Sequence, residues 1–193
     1  VTIIVVTDGS KGSWDPSVDP ADLREARRDE ARRAAGALGA TGVEFLDAVD
    51  GELVAGPELK ERLAHAIRRH RPDVVLGHDP WQRYQLHPDH RAAGWLTADA
   101  VVAAREPLFY PDQLEQGLKP HRPAALLLWS ADEPNHWEDI GRTLPAKITA
   151  LLCHTSQGET TMGDAQQGGP ARAAFEREIA QWAARAGAPV SLD

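Results

Sequence analysis

The residues best suited to chemistry in this sequence are His87-Pro88-Asp89-His90. Proline is favoured at the first helical position, so His87 is predicted to be the N-cap, with Asp89 and His90 in the first turn. Two imidazoles and a carboxylate would then flank one helix N-terminus and point into one cleft. Neutral imidazole is a common metal ligand, which predicts His90 as a ligand. His87 could stabilise an oxyanion, with Asp89 orienting its ring.

A purely structural alternative exists for the same residues. Asp89 could cap the helix while both histidines are solvated, and an H-x-x-H pair alone does not decide between the two interpretations. The position after a buried strand favours the functional one, because ligands of open α/β sheets bind beyond the carboxyl ends of the strands. His78 and Asp79, which directly follow that strand, are predicted to have structural roles in the loop.

The elements that must position these residues alternate along the chain. Apolar segments at residues 3–6, 43–46, 73–77 and 124–129 predict strands, and helices are predicted from residues 20, 57, 88 and 145, with a last helix carrying Phe175, Ile179 and Trp182. The segment at 73–77 does not alternate, so it is predicted to be buried on both faces. The expected fold class is α/β: a three-layer sandwich with a Rossmann-like, mostly parallel sheet and helices on both faces.

Composition excludes several function classes. The 193 residues carry a formal charge of -8, which disfavours nucleic acid as a partner. No apolar run approaches the roughly 20 residues that a membrane-spanning helix needs. A single cysteine, Cys153, is typical of the reducing cytoplasm, the expected location. No glycine-rich dinucleotide or P-loop motif follows a strand.

Tryptophans offer a second set of candidate contacts. Trp14 and Trp81 fall in loops at the predicted active edge, where aromatic rings could stack on a ligand, but we predict that they cover the edge of a core. The stripe of Phe175, Ile179 and Trp182 is predicted to be a packing or oligomer face, which leaves a homo-oligomer open.

Short motifs spread over nearly the whole sequence carry a family resemblance. They are Thr7-Asp8-Gly9, Arg27-x-x-Glu30, Asp50-Gly51-x-Leu53, Arg71-Pro72-Asp73-Val74-Val75, His78-Asp79-Pro80-Trp81, His87-Pro88-Asp89-His90-Arg91-Ala92-Ala93-Gly94, Pro107-Leu108-Phe109-Tyr110-Pro111, Glu133-Pro134-Asn135-His136, and Lys147 with His154-x-Ser156-Gln157. Each is weak singly, but in this order they resemble the PIG-L/LmbE-like family of metal-dependent deacetylases. Members of that family remove the acetyl group from N-acetylglucosaminyl conjugates.

The resemblance implies a hydrolase in which metal-activated water attacks an amide, with a divalent metal as cofactor and zinc as the expected ion. His90 resembles a metal ligand, His87 the catalytic group that polarises the substrate carbonyl, and Asp89 the carboxylate that orients it.

The resemblance also implies a small amino sugar conjugate as substrate. Arg27 and Asp50 resemble positions that contact the sugar. His154 ends a helix that lies near the site in this family, although a structural C-cap is an equally good interpretation.

One departure from the family pattern affects what the sequence can do. The family's His-Pro-Asp-Asp loop supplies further metal ligands and the general base, and no H-x-D-D occurs in the 193 residues. We therefore expect residues 1–193 to form a single deacetylase-like domain that lacks its N-terminal strand and this loop. Two alternatives stay open: a catalytically incompetent carbohydrate-binding remnant of the same fold, and a hydrolase of another N-acyl conjugate.

Overall fold

A computed structural model describes residues 1–190 of the protein, apart from the side chains of residues 159, 160, 164 and 167. The strands are β1 (Thr2–Thr7), β2 (Gly42–Ala48), β3 (Val74–His78) and β4 (Ala125–Trp129). The α-helices are α1 (Pro20–Ala37), α2 (Pro57–His70), α3 (Pro88–Arg105), α4 (Pro111–Glu115), α5 (Leu144–Leu152) and α6 (Gly169–Gly187). The expectation of a mixed α/β fold is confirmed, although the sequence did not predict α4.

The described strands form two small sheets. β1 pairs with β2, and β3 pairs with β4 in parallel, with Val74 opposite Ala125 and His78 opposite Trp129. The chain divides into two compact units. One holds Val1–Phe45 and the chain from Asn135 onward, and the other holds Leu46–Pro134.

Two helices, α1 and α3, begin at Pro20 and Pro88, where the sequence predicts helix starts. Asp19 caps α1, since its Oδ1 accepts hydrogen bonds from Ala21 N at 2.7 Å and Asp22 N at 3.4 Å. His87 caps α3, where its Nδ1 accepts from Asp89 N at 3.3 Å. Both helices have proline at the first position, whose missing N–H and fixed φ suit it to a helix start.

Close packing of α3 on β3 depends on two glycines. A Cβ added at Gly77 would lie 2.8 Å from Thr97 Cγ2, and one added at Gly94 would lie 2.8 Å from the carbonyl oxygen of His78. The second clash is with backbone, which cannot rotate away as a side chain can. The absence of two methyl groups therefore lets the helix approach the end of the strand.

The prediction that β3 is buried on both faces is wrong. Gly77 is buried, but Val74 and Leu76 are 42% and 60% exposed. Successive strand residues point to opposite faces of a sheet. α3 covers the face that carries Gly77, and Val74 and Leu76 lie on the other face.

The unit of residues 46–134 also contains a fully buried cation. Arg68 of α2 is 1% exposed. Its guanidinium donates hydrogen bonds to the carbonyl oxygens of Ala103, Ala104, Glu106, Phe109 and Tyr110 and to Oε1 of Gln113, at 2.9 to 3.3 Å. Burial lowers the pKa of Arg68 from its usual value. Arg68 thus satisfies carbonyls at the end of α3 and in the turn that leads into α4.

Two tryptophans differ from expectation. Trp14 is 73% exposed and Trp81 is 62% exposed, so the prediction that they cover the edge of a core is wrong for most of each side chain. Trp81 keeps one edge contact with Trp95, at 5.1 Å between ring centroids. Trp182 of α6 is 58% exposed, with Lys147 Nζ 5.3 Å from its ring centroid.

None of the described helices combines the length and hydropathy needed to cross a membrane.

Candidate functional site

Asp89 anchors the N-terminus of α3 to the turn after β2. The carboxylate is 4% exposed, and it accepts hydrogen bonds from the backbone N–H of Gly51 at 2.7 Å and of Leu53 at 3.1 Å. Each of its two oxygens therefore pairs with one backbone N–H, and that of Leu53 is buried. The turn held in this way also carries Asp50, so Asp89 fixes where the Asp50 side chain begins.

Three side chains at this point could hold a metal ion together. Asp50, His87 and Asp89 each offer one ligand atom, and these atoms lie within 4.8 Å of one another. Imidazole nitrogen and carboxylate oxygen are the ligands that zinc accepts in catalytic sites. The two oxygens of Asp89 keep a second lone pair each beside their backbone hydrogen bonds, so ligation would not require breaking them. The donor set therefore fits a divalent ion.

Three imidazoles stack beside this cluster. The ring of His90 lies parallel to those of His87 and His78, with centroid distances of 4.5 Å and 4.4 Å and interplanar angles of 18° and 13°. Burial lowers the pKa of His90, with a further contribution from His87, while Asp89 and Asp50 oppose the shift. Burial, together with His90 and His87, lowers the pKa of His78 to about 4. Near neutral pH both rings are therefore uncharged, which is the form a metal ion requires.

In the other unit, Arg27 ties α1 to the loop after β1. Its guanidinium donates to the carbonyl oxygens of Gly9 and Gly12, each at 2.6 Å, and its Nε lies 3.4 Å from Ser156 Oγ. Gly9 has a φ of 69°, and a Cβ there would lie 2.6 Å from Arg27 Cδ. These contacts order the loop, and the prediction that Arg27 contacts a sugar stays a prediction.

Glu30, one turn after Arg27, anchors the segment that follows α5. It is 2% exposed, and it accepts hydrogen bonds from Thr155 Oγ1 at 2.8 Å, from Ser156 N at 2.7 Å and from Ser156 Oγ at 2.8 Å. Burial lowers the pKa of the adjacent His154, which Glu30 partly opposes. Sequence reasoning assigned no role to Glu30, although a carboxylate on the apolar face of α1 is a signal for a buried polar partner.

The predicted site residues thus fall into two groups. Asp50, His87, Asp89 and His90 come together within residues 46–134. Arg27 and His154 belong to the other unit, where both lie beside Glu30 and Ser156. Asp50 was expected to contact the sugar, and its place in the cluster also makes it a candidate metal ligand.

The contacts of Asp89 lead to a prediction for stability. Asp89→Asn should lower the free energy of unfolding by about 2 kcal/mol, because an amide NH₂ would face one of the two backbone N–H groups and leave it without an acceptor. Urea denaturation of chelator-treated protein measures this. Asp99→Asn, on the exposed face of the same helix, is the matched control and should change stability by less than about 0.5 kcal/mol. Equal stability of the two variants would contradict the anchoring role.

Comparison with protein families shows which proteins this chain resembles. Residues 1–101 match the PIG-L family, described as GlcNAc-PI de-N-acetylase. The chain belongs to the PIG-L family. The family match ends within α3, so it includes His87, Asp89 and His90.

Individual relatives of this PIG-L family chain have more than one activity. It is 38% identical over 157 residues to the diacetylchitobiose deacetylase of Thermococcus kodakarensis, covering 81% of this chain and 59% of the relative. It is 32% identical over 143 residues to the 4-oxalmesaconate hydratase of Pseudomonas putida, covering 71% of this chain and 53% of that protein. The chain therefore spans between half and three fifths of the length of these relatives.

A solved structure resembles the PIG-L family chain over its whole length. It is the N,N'-diacetylchitobiose deacetylase of Pyrococcus horikoshii in complex with an inhibitor. The TM-score is 0.86 with 29% sequence identity, and the match covers 100% of this chain and 69% of the other.

Proposed function

We propose that the protein is a metal-dependent hydrolase that removes the acetyl group from an N-acetylglucosamine-type amino sugar conjugate. The observation that carries the proposal is the cluster of Asp50, His87 and Asp89, whose ligand atoms lie within 4.8 Å of one another, with His90 stacked on His87. The diacetylchitobiose deacetylases among its relatives support an amide of an amino sugar as the bond that is cleaved.

In this proposal His90, stacked on His87, holds the divalent ion, for which zinc is the expected identity, and Asp50 is a candidate second ligand. His87 and Asp89 also lie in the cluster, but they keep the catalytic roles that the family resemblance implies. The lowered pKa of His90 keeps its ring neutral and able to bind a metal. When bound, such an ion lowers the pKa of a water molecule and polarises a carbonyl.

His87 has the geometry to act on the substrate oxygen. Its Nδ1 accepts the N-cap hydrogen bond from Asp89 N, which leaves Nε2 as the nitrogen that can donate. A donor aimed at the amide oxygen stabilises the negative charge that develops there as water adds to the carbon. Cleavage of the C–N bond, with a proton delivered to the nitrogen, gives acetate and the free amine.

The same proposal includes three further features, two of the fold and one of the cellular location. They are a three-layer sandwich with a Rossmann-like sheet, a single deacetylase-like domain and a cytoplasmic location. The regular alternation of strands and helices supports the layered arrangement.

The test is acetate release from N,N'-diacetylchitobiose and from N-acetylglucosamine, measured on the purified protein with added Zn²⁺ and again with excess chelator. We expect equal amounts of acetate and free amine with Zn²⁺, and no release with chelator. Sugar binding that chelator leaves unchanged, without acetate release, would instead support a carbohydrate-binding protein. Release from an N-acetyl amino acid but not from either sugar would support a hydrolase of another N-acyl conjugate. Either outcome would overturn the proposal.

A further inference from the structure

His78 is the member of the histidine stack to which the proposed function gives no role. It ends β3 directly opposite Trp129, the last residue of β4. Trp129 Nε1 donates a hydrogen bond to His78 Nδ1 at 2.8 Å, and the two rings meet edge to face with centroids 4.7 Å apart. An indole N–H can only donate, so His78 Nδ1 is the acceptor and the proton of the neutral ring lies on Nε2. Trp129 thus fixes both the rotation and the tautomer of His78.

The face of the His78 ring is the surface on which His90 rests. The two rings are 4.4 Å apart and within 13° of parallel. Their backbones also approach closely, because a Cβ at Gly94, one turn after His90, would lie 2.8 Å from His78 O and 3.0 Å from Pro80 N. The ladder continues one residue past His78, where Asp79 N donates to Trp129 O at 3.0 Å. The end of the strand therefore lies directly against the start of the helix.

We propose that Trp129 and His78 are positioning residues for His90: the indole N–H orients the His78 ring, and that ring in turn holds the His90 imidazole in the orientation that binds a divalent ion. The inference rests on the proposed function, in which His90 is a metal ligand. His78 itself is not a ligand in this arrangement. Groups that orient a metal ligand typically change metal affinity about 10- to 100-fold when they are removed.

The first experiment is Zn²⁺ titration calorimetry of the protein with Trp129→Phe. Phenylalanine keeps an aromatic ring but has no donor, so the His78 ring can rotate, and we expect the Kd for Zn²⁺ to rise about 10-fold. Trp95→Phe is the matched control, because Trp95 contacts Trp81 rather than the histidine stack. It should leave the Kd within about twofold. An unchanged Kd in Trp129→Phe would overturn the proposal.

A pair of His78 variants separates positioning from simple structural support. His78→Ala removes the ring against which His90 stacks and should weaken Zn²⁺ binding at least about 10-fold. His78→Phe restores a flat ring but not the acceptor for the Trp129 N–H, so its Kd should match that of Trp129→Phe. The melting temperature of the chelator-treated protein is measured beside each Kd. A lower melting temperature with an unchanged Kd in both variants would show that His78 only supports the fold, and would contradict positioning.

Imidazole nitrogen NMR tests the pair directly, without metal. We expect His78 in the Nε2–H tautomer in the wild type and a mixture of tautomers in Trp129→Phe. The same mixture in both proteins would overturn the inference. A wild type that binds Zn²⁺ but releases no acetate would contradict the proposed function alone, whereas unchanged Zn²⁺ affinity in the variants would contradict only the positioning role. A wild type that binds no Zn²⁺ would overturn both.

Discussion

Replacement of His87 by alanine is expected to lower kcat by about 100-fold or more while the protein still binds its metal ion. The reason is that the proposed function has Nε2 of His87 donate to the substrate oxygen, while Nδ1 is engaged by the N-cap hydrogen bond at 3.3 Å. A donor of this kind acts on the charge that develops during the reaction, so its loss should lower kcat more than it raises KM. Acetate release and Zn²⁺ titration calorimetry on the same preparation give both quantities.

The His90→Ala variant should be compared with His87→Ala, because the two histidines are proposed to have different roles. It should lose metal binding and activity together, because the ring proposed to hold the ion is gone. His70→Ala, at the exposed C-terminal end of α2, is a histidine control that should leave both measurements unchanged. Full activity in both His87→Ala and His90→Ala would contradict the assignment of this cluster as the active site.

The largest effect on stability is expected from Arg68→Met. Methionine fills a similar volume but makes none of the six hydrogen bonds that Arg68 donates, so several buried carbonyl oxygens lose their partners. With about 1 to 3 kcal/mol for each buried group left unpaired, the expected loss exceeds about 4 kcal/mol. Urea denaturation followed by circular dichroism measures it, and a chain that fails to fold agrees with it.

Two further substitutions keep this prediction testable. Arg69→Met changes the exposed neighbour and should cost less than about 0.5 kcal/mol. Arg68→Lys retains the charge but not the planar five-donor fork, so it should still cost about 2 kcal/mol or more. If Arg68→Lys and Arg68→Met are both as stable as Arg69→Met, the guanidinium does not hold the end of α3.

Local rules explain why part of the site was predictable from sequence. The N-cap at His87, the proline after it and the position of His90 in the first turn depend on residues adjacent in the chain. Asp50 came into consideration through the family resemblance, as a position that contacts the sugar. The structure places ligand atoms of Asp50 and Asp89 beside His87.

The parts of the site that the sequence did not predict depend on contacts between residues far apart in the chain. Trp129 lies 51 residues from His78, and Ser156 lies 126 residues from Glu30, so no spacing rule joins either pair. His78 was assigned a loop role because its partner could not be identified from sequence. Burial was overestimated for β3 and for Trp81 for a related reason: apolar composition indicates that a residue can be buried, but not which face another element covers.

The close approach at Gly94 means that a residue without any functional group sets the spacing of the histidines. A single methyl group there would push α3 away from the end of β3, since it would meet backbone atoms at 2.8 and 3.0 Å. The helix would have to move, and His90 would move with it relative to His78. For the proposed metal site, affinity is therefore expected to depend on a position that could never be a ligand, and a search confined to polar residues would overlook it.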